Sequence, residues 1–119
     1  MRYHVLKMLN KKTCIPCQGG IPPLNSEEIS KYLNDINENW INLINVKISR
    51  TFNFNNYLEA LNFVNKIAYL SEDEGHHPHV HLNFKNVEVI IFTHKINGLH
   101  ENDFILAAKC DDIWNSINN

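Results

Sequence analysis

Long apolar runs are missing from this chain of 119 residues, since none approaches the roughly 20 residues needed to span a bilayer. The first nine residues are too short and too charged for the core of a signal peptide. Basic residues are not in excess, because 11 lysines and arginines face 13 acids. The sequence therefore has no basic stripe that would indicate contacts with nucleic-acid phosphates. These absences predict a cytoplasmic protein with no membrane partner and no direct nucleic-acid partner, although a nuclear pool is compatible with them.

Cysteines are few, and their number is odd. Three cysteines fit a reducing compartment better than a disulfide framework. Cys14 and Cys17 have the ligand spacing of half a structural zinc site, but no second Cys-x-x-Cys pair follows them. They also lack the strand-to-helix setting of a redox site, which favours a packed or incidental pair. Cys110 falls among the apolar positions of the last predicted helix, which indicates a core residue.

The length of the chain fits one domain with a single core. Residues 1–25 predict an irregular arm that lies across the domain surface. Pro16, Pro22 and Pro23, with two adjacent glycines, stop any helix or central strand there. Residues 26–119 then form the single domain, with no internal linker and no tandem repeat.

Apolar spacing in the domain changes between the periods of helices and of strands. Ser26 can cap a first helix of about three turns that ends among residues 37–39. A long amphipathic helix runs from Asn55 to about Glu74, and Gly75 stands where a C-terminal cap belongs. The last helix begins at Glu101-Asn102-Asp103. The predicted strands are residues 40–46, 47–54, 79–85 and 87–93.

The order of these elements is α-β-β-α-β-β-α. It indicates an α+β domain with a four-stranded antiparallel sheet and three helices on one face. A tight turn at Asn86 would place residues 79 and 93 roughly opposite each other. The segment Lys47–Phe54 is expected to be an edge strand.

Histidines are concentrated in one stretch, where four of the seven fall between His76 and His81. Because imidazole titrates near neutral pH, such a cluster suits proton transfer or metal binding. His76 and His77 follow three acids at the end of the long helix, and both features favour a protonated ring. The hairpin is expected to bring His94 beside them. His79 and His81 alternate with apolar residues, which predicts a solvent-facing position.

A zinc hydrolase is the alternative use of the same three histidines, since three imidazoles can hold a catalytic zinc ion. Against it, adjacent histidines rarely bind one ion together, and the chain has no His-Glu-x-x-His pair. The two histidines after the helix could also be polar residues that merely end it. The residues by themselves leave these three interpretations open.

Three segments taken together resemble the pterin-4a-carbinolamine dehydratases. They are Glu74-Gly75-His76-His77-Pro78, Thr93-His94-Lys95-Ile96-Asn97-Gly98-Leu99 and Glu101-Asn102-Asp103-Phe104-Ile105-Leu106-Ala107. The stretch from Cys14 to Leu24 is also similar to the leader of the bacterial-type members, so the likeness extends from Cys14 to about Asp112. Val80 stands where many animal members carry a tryptophan.

The resemblance implies a 4a-hydroxytetrahydrobiopterin dehydratase, which forms quinonoid dihydropterin and recycles the pterin cofactor of aromatic amino-acid hydroxylases. It implies no metal and no cofactor. The three catalytic histidines of the family fall on His76, His77 and His94, and its supporting acids fall on Glu72 and Asp103. The substrate-contacting positions fall on His76, His77, Pro78, Thr93, His94, Lys95 and Ile96.

The resemblance also implies partners. Besides the pterin substrate, members associate with themselves as dimers or tetramers, and the predicted edge strand Lys47–Phe54 is a candidate joining surface. Some animal members also stabilise dimers of a homeodomain transcription factor through a helical face. A non-enzymatic dimerisation cofactor of a transcription factor is therefore the alternative function. It ranks below the enzyme, because no such helical face is visible in this sequence.

Overall fold

The computed structural model describes residues 8–16 and 18–118. Its order of helices and strands confirms the predicted α+β class. The helices are α1 (Ser26–Leu33), α2 (Tyr57–Glu74) and α3 (Glu101–Ile117), and the strands are β1 (Ile41–Leu43), β2 (Lys47–Asn53), β3 (His79–Asn83) and β4 (Asn86–Ile91). Two short 3-10 turns, Leu9–Lys11 and His94–Ile96, complete the regular structure of these residues.

The four strands form one antiparallel sheet in the order β1-β2-β4-β3. The prediction that Lys47–Phe54 is an edge strand was wrong, because β2 is paired with β1 on one side and with β4 on the other. Strand β4 carries the fully buried Val87, Val89 and Ile91, so it takes the central place beside β2. The apolar side chains of β3 are only half-buried, and β3 forms one edge while β1 forms the other.

The hairpin of β3 and β4 has a different register from the predicted one. Its turn consists of Phe84–Lys85, and Asn86 is already the first residue of β4, paired with Asn83. His79 consequently lies opposite Ile90 and not opposite residue 93. Strand β4 ends at Ile91, and a 3-10 turn that begins at His94 follows it. His94 therefore lies in this turn and not at the end of a strand, as was predicted.

Helix α1 begins with a different cap from the predicted one. The Asn25 side chain accepts from the Glu28 amide at 2.9 Å, and the Glu28 carboxylate accepts from the Asn25 amide at 2.9 Å. This reciprocal capping box makes Ser26 the first helical residue instead of the cap. The helix then ends at Leu33, earlier than predicted.

Helix α2 ends as predicted, at a left-handed glycine. Gly75 has a φ of 65°, and its amide donates to the carbonyls of Ser71 and Glu72. A residue with a side chain is strained at such a φ, whereas glycine adopts it freely. The reversal turns the chain out of the helix directly before His76.

The core lies between the sheet and the three helices, which cover one of its faces. Phe52 and Phe63 are fully buried in it with ring centroids 4.6 Å apart, and the partly buried Trp114 packs on Phe52 at 5.5 Å. Each large apolar side chain buried in this way contributes about 1.5–3 kcal/mol. Cys110 is fully buried here, as predicted, while His79 and His81 lie exposed on the opposite face.

A buried ion pair joins the sheet to α3. Arg50 Nη1 donates to Asp111 Oδ1 at 2.5 Å, and Trp40 Nε1 donates to both carboxylate oxygens at 2.9 and 3.0 Å. Burial raises the pKa of Asp111, and the hydrogen bond from Trp40 and the charge of Arg50 oppose that rise. No helix in the described part of the chain is long and apolar enough to cross a membrane.

The described arm, residues 8–16 and 18–25, is irregular apart from its first turn, and it lies along α3. Leu9 is buried in the core. Asn10 Nδ2 donates to Asp112 Oδ2 at 2.9 Å, and Lys12 Nζ lies 3.1 Å from Glu101 Oε2. The first part of the arm is therefore attached by side chains of α3.

Candidate active site

A cleft of about 340 Å³ lies where α2 ends, β4 ends and α3 begins. The structure brings His76, His77 and His94 together in this cleft. The lining residues are Ile15, Pro16, Gly75, His76, His77, Phe92, Thr93, His94, Lys95 and Asn102.

His76 is held by a buried carboxylate. Its Nε2 lies 2.5 Å from Oδ1 of Asp103, which is fully buried in the first turn of α3. The other oxygen of Asp103 accepts from the Thr93 hydroxyl and from the His100 amide, each at 2.9 Å. Because an ionised carboxylate only accepts hydrogen bonds, it keeps the ring proton of His76 on Nε2. Nδ1 is then the ring nitrogen of His76 that is available to a ligand.

His77 is held much less firmly than His76. Its Nε2 lies 3.4 Å from Glu72 Oε1, and the two side chains are 60% and 80% exposed. Ion pairs in such exposed positions contribute at most about 1 kcal/mol. The predicted supporting acids thus differ: Asp103 fixes its histidine, while Glu72 lies loosely beside the other one.

His94 reaches the cleft from the 3-10 turn after β4. Its ring packs on Phe92 with centroids 4.2 Å apart, and its centroid is 5.6 Å from that of His79. The Lys47 ammonium lies 4.6 Å from the centre of the Phe92 ring. Phe92 therefore supports the imidazole of His94 from within the cleft.

The predicted substrate-contacting positions are divided by the structure. Thr93 and Lys95 line the cleft together with the three histidines. Pro78 and Ile96 do not line it. Ile96 is the buried last residue of the 3-10 turn, and Pro78 is half-buried directly before β3. Each of these two residues follows a histidine of the cleft along the chain, and neither lines the cleft.

Five lining residues were not among the predicted site residues: Ile15, Pro16, Gly75, Phe92 and Asn102. Gly75 was predicted as the cap of α2, and three of the others carried a signal in the sequence. Asn102 directly precedes Asp103 in the third matching segment, and Ile15 and Pro16 belong to the stretch that is similar to the bacterial-type leader. Their place in the cleft depends on contacts between residues far apart in the chain, which local patterns do not report.

Cys14 is a neutral, packed thiol beside the cleft. Its amide donates to Glu74 Oε1 at 2.8 Å. Burial raises the pKa of the Cys14 thiol to about 12, and the charge of Glu74 adds to the rise. The thiolate is the form that acts as nucleophile and metal ligand, so this rise in pKa disfavours both roles for Cys14. The predicted pairing with Cys17 lies outside the described residues.

The carboxylate of Glu74 links this part of the arm to α3. Lys109 Nζ donates to Glu74 Oε2 at 2.7 Å. Burial by itself would raise the pKa of Glu74, but the hydrogen bonds from Lys109 and from the Cys14 amide outweigh it and lower the pKa. Within residues 8–16 and 18–118, no three histidine, cysteine or acidic side chains are arranged to hold a metal ion. The zinc alternative therefore has no ligand set in this part of the chain.

Comparison with known proteins assigns the family. Residues 22–113, well over half of the chain, match the family described as pterin 4 alpha carbinolamine dehydratase. The chain belongs to the pterin-4a-carbinolamine dehydratase family. The predicted family and the hydro-lyase class of enzyme that goes with it are confirmed.

Individual relatives of this dehydratase agree. A protein of Methylococcus capsulatus is 50% identical over 105 residues, which are 88% of this chain and 92% of the relative. A protein of Alkaliphilus metalliredigens is 47% identical over 103 residues, or 87% and 93% of the two chains. Both carry the provisional name pterin-4-alpha-carbinolamine dehydratase.

A solved structure shares the fold of this family member. The crystal structure of a transcriptional coactivator/pterin dehydratase from Brucella melitensis superposes with a TM-score of 0.72 at 28% identity. The superposition covers 76% of this chain and 97% of the Brucella chain. The predicted four-stranded antiparallel sheet with three helices is thus the fold of a pterin dehydratase.

Proposed function

We propose that this protein is a cytoplasmic 4a-hydroxytetrahydrobiopterin dehydratase that uses His76, His77 and His94 and requires neither a metal nor a cofactor. The observation that carries the proposal is the meeting of these three imidazoles in one cleft, with Asp103 hydrogen-bonded to His76. The provisional names of the Methylococcus and Alkaliphilus relatives support the same activity.

The reaction needs one acid and one base. The C4a–O bond breaks and the oxygen leaves as water, so it must receive a proton. The neighbouring ring nitrogen gives its proton to a base, and the electron pair of its N–H bond forms the new C=N bond of the quinonoid dihydropterin. No net oxidation occurs. Two histidines in complementary protonation states can carry out both transfers near neutral pH.

We assign His76 as the base and His77 as the acid. Asp103 keeps the proton of His76 on Nε2, so Nδ1 can receive the proton of the pterin nitrogen. The same carboxylate stabilises the imidazolium that results. His77 is more exposed and can exchange its proton with water between turnovers.

His94 holds and polarises the leaving hydroxyl in this proposal. Phe92 supports its ring, and the 3-10 turn fixes its backbone. Thr93 is fixed through its hydroxyl to Asp103 and through its main chain to Gly98, and Thr93 and Lys95 both line the cleft in which the pterin edge would lie. Pro78 and Ile96 act on the substrate through the positions of the histidines.

Replacing each histidine by alanine tests the assignment. The parent protein is mixed with freshly generated 4a-hydroxytetrahydropterin, and dehydration is followed by ultraviolet absorbance. His76→Ala, His77→Ala and His94→Ala should each slow the reaction by about 100-fold or more, the size of a general acid–base contribution. His81→Ala, an exposed histidine on the outer face of the sheet, is the matched control and should keep the parent rate.

Two results would reject parts of this proposal. If all three alanine variants dehydrate the substrate at the rate of His81→Ala, the three histidines are not the proton-transfer groups. If the parent protein does not accelerate dehydration above its spontaneous rate, the protein is not a dehydratase of this substrate.

A coactivator role is the second candidate, because the Brucella neighbour is described as a transcriptional coactivator as well as a pterin dehydratase. Binding of a transcription factor would use a surface and not the proton-transfer groups. His76→Ala separates the two functions: a coactivator keeps its effect on a reporter gene with this substitution, and an enzyme loses its rate.

Self-association, if it extends the sheet, would use β1 or β3, the two edges of the sheet. We favour β1, because Ile41, Leu43 and the adjoining Ile44 expose apolar side chains there. Sedimentation equilibrium at micromolar concentration should show dimers or tetramers, and a pure monomer would rule them out.

A further inference from the structure

We infer that residues Cys14–Pro16 of the arm form a wall of the pterin site, and that Asn102 is the positioning residue that holds this wall. The inference rests on the proposed function, since it concerns the same cleft. It adds a part of the chain that lies 60 to 62 residues before the first histidine of the site, His76.

The Asn102 side chain binds both main-chain groups of a single arm residue. Its Oδ1 accepts from the Ile15 amide at 3.0 Å, and its Nδ2 donates to the Ile15 carbonyl at 2.6 Å. Two hydrogen bonds from one carboxamide fix the orientation of Ile15 as well as its position, as strand pairing does. Asn102 is only 3% exposed, so water does not compete for these bonds.

A second attachment lies one residue earlier in the arm. The Cys14 amide donates to Glu74, the last residue of α2, which is separated from His76 only by Gly75. The thiol of Cys14 also lies 3.5 Å from the Asn102 carbonyl oxygen. The arm is therefore tied to the segment that carries His76 and to the turn of α3 that carries Asp103.

Ile15 and Pro16 are thereby placed in the lining of the cleft. The side chain of Ile15 is apolar, yet the residue is 61% exposed although its main chain is fixed on both sides. An apolar side chain held at the lining of a cleft is stabilised when the ring face of a heterocyclic ligand covers it. The pterin ring is such a ligand.

The rest of the arm follows the turn that carries His94. A side chain at Gly19 would come within 3.8 Å of the Lys95 Cβ, and one at Gly98 would lie 2.5 Å from the Pro23 Cβ. The Leu24 amide donates to the Leu99 carbonyl at 2.9 Å. Only glycine fits at position 98 along this path, so the arm and the His94 turn are fitted to each other.

The family match does not itself assign this wall, because it begins at Pro22, after the wall has ended. The Methylococcus relative nevertheless aligns over 105 residues, more than remain after Pro22, so its similarity extends into the arm. The wall is thus an extension of the matched domain that at least one relative shares in part.

Three variants test the inference. Ile15→Ala removes the exposed side chain, Asn102→Ala releases the main chain of the wall, and Lys12→Ala removes an arm attachment outside the cleft. Asn102→Ala should raise KM about tenfold, equivalent to one strong hydrogen-bonded contact, with kcat changed by less than about twofold. Ile15→Ala should raise KM about threefold, and Lys12→Ala should leave both constants at the parent values.

A binding measurement without turnover accompanies the kinetics. Biopterin, which carries no 4a-hydroxyl group and cannot be dehydrated, is titrated with each variant while its own fluorescence is followed. Its Kd should rise in the order parent and Lys12→Ala, Ile15→Ala, Asn102→Ala. If Asn102→Ala does not fold, Ile15→Ala against Lys12→Ala carries the test, since Ile15 is mostly exposed and its truncation leaves the core intact.

The outcomes separate this inference from the proposed function. The wall is refuted if the parent is active and Ile15→Ala and Asn102→Ala have the same KM and Kd as Lys12→Ala. A lowered melting temperature with unchanged KM and Kd also overturns it, because Asn102 would then be only structural. A parent that neither dehydrates the carbinolamine nor binds biopterin overturns the proposed function, and the wall with it.

Discussion

Asp103 Oδ1 and His76 Nε2 lie 2.5 Å apart, and they join the first turn of α3 to the segment that follows α2. The same carboxylate accepts the Thr93 hydroxyl and the His100 amide through its other oxygen. A single buried side chain thus caps a helix, fixes the end of β4 and orients the histidine to which we assign the base. The capping role and the orienting role can be separated by substitution.

Asp103→Asn should reduce kcat on the order of 100-fold. An asparagine oxygen can still accept from Thr93 and His100, but its amide group would then face Nε2 and force the ring proton of His76 onto Nδ1. Nδ1 could then no longer accept a proton from the substrate. Steady-state rates across pH 6–9 measure the loss. Thr93→Val, which removes one donor and leaves the pair with His76 intact, should cost far less, and equal losses would refute this account.

Asp111→Ala should destabilise the fold by about 3–5 kcal/mol, because it leaves the buried Arg50 guanidinium without its charged partner. The indole N–H of Trp40 loses its acceptor as well. Denaturation by urea measures the free energy of unfolding. Asp73→Ala, which removes an exposed acid of α2, should change it by less than about 0.5 kcal/mol. Similar values for the two variants would show that the ion pair adds nothing to stability.

Lys109→Met should weaken the fold by about 1 kcal/mol at neutral pH, and this difference from the parent should vanish in acid. The pKa of Glu74 is lowered in the folded protein, so its ionised form stabilises the fold above the ordinary value of 4.5. That contribution is lost as the pH falls through the lowered, folded pKa. Unfolding free energies measured from pH 7 to pH 3 test the trend.

The matched control for this titration is Glu72→Gln, which removes an exposed acid of the same helix. It should leave the pH dependence of stability close to that of the parent. A gap between parent and Lys109→Met that stays constant down to pH 3 would contradict the role given to Glu74.

Ile44→Asn should stabilise the hairpin of β1 and β2 by about 0.5–1 kcal/mol. Ile44 has a φ of 47° in the three-residue turn Ile44–Val46, where a β-branched side chain is strained and asparagine is tolerated. Its side chain is 88% exposed, so little packing is lost. Thermal unfolding measures the gain. Ile44→Ala removes the same apolar surface without favouring a positive φ, and an equal gain from alanine would exclude backbone strain as the cause.

Local patterns in the sequence were sufficient to predict the order of helices and strands and the positions of His76 and His77 directly after α2. Gly75 after a helical period fixed the end of α2, and with it the positions of His76 and His77. The alternation of His79 and His81 with apolar residues gave their exposed face. These features depend on neighbours in the chain, which periodicity and capping report directly.

Features that depend on distant residues could not be obtained in the same way. The place of β2 inside the sheet follows from its pairing with β4, a strand 33 to 43 residues further along the chain, which no local period encodes. In the turn at Phe84–Lys85, Phe84 has a positive φ of 52°, which is unusual for a bulky residue. Asparagine adopts a positive φ more readily, and the turn was therefore predicted at Asn86. The contact of Asn102 with Ile15 joins residues 87 positions apart.

This separation along the chain also bears on the order of events during folding. Helices α2 and α3 can form from local contacts, but the cleft needs residues 76 and 103, and then 15 and 102, to meet. Closing such long loops is slow compared with helix formation. After dilution from denaturant, helical circular dichroism should therefore recover first, and the parent affinity for biopterin should return only as the arm docks, which makes pterin affinity a reporter of the last step of folding.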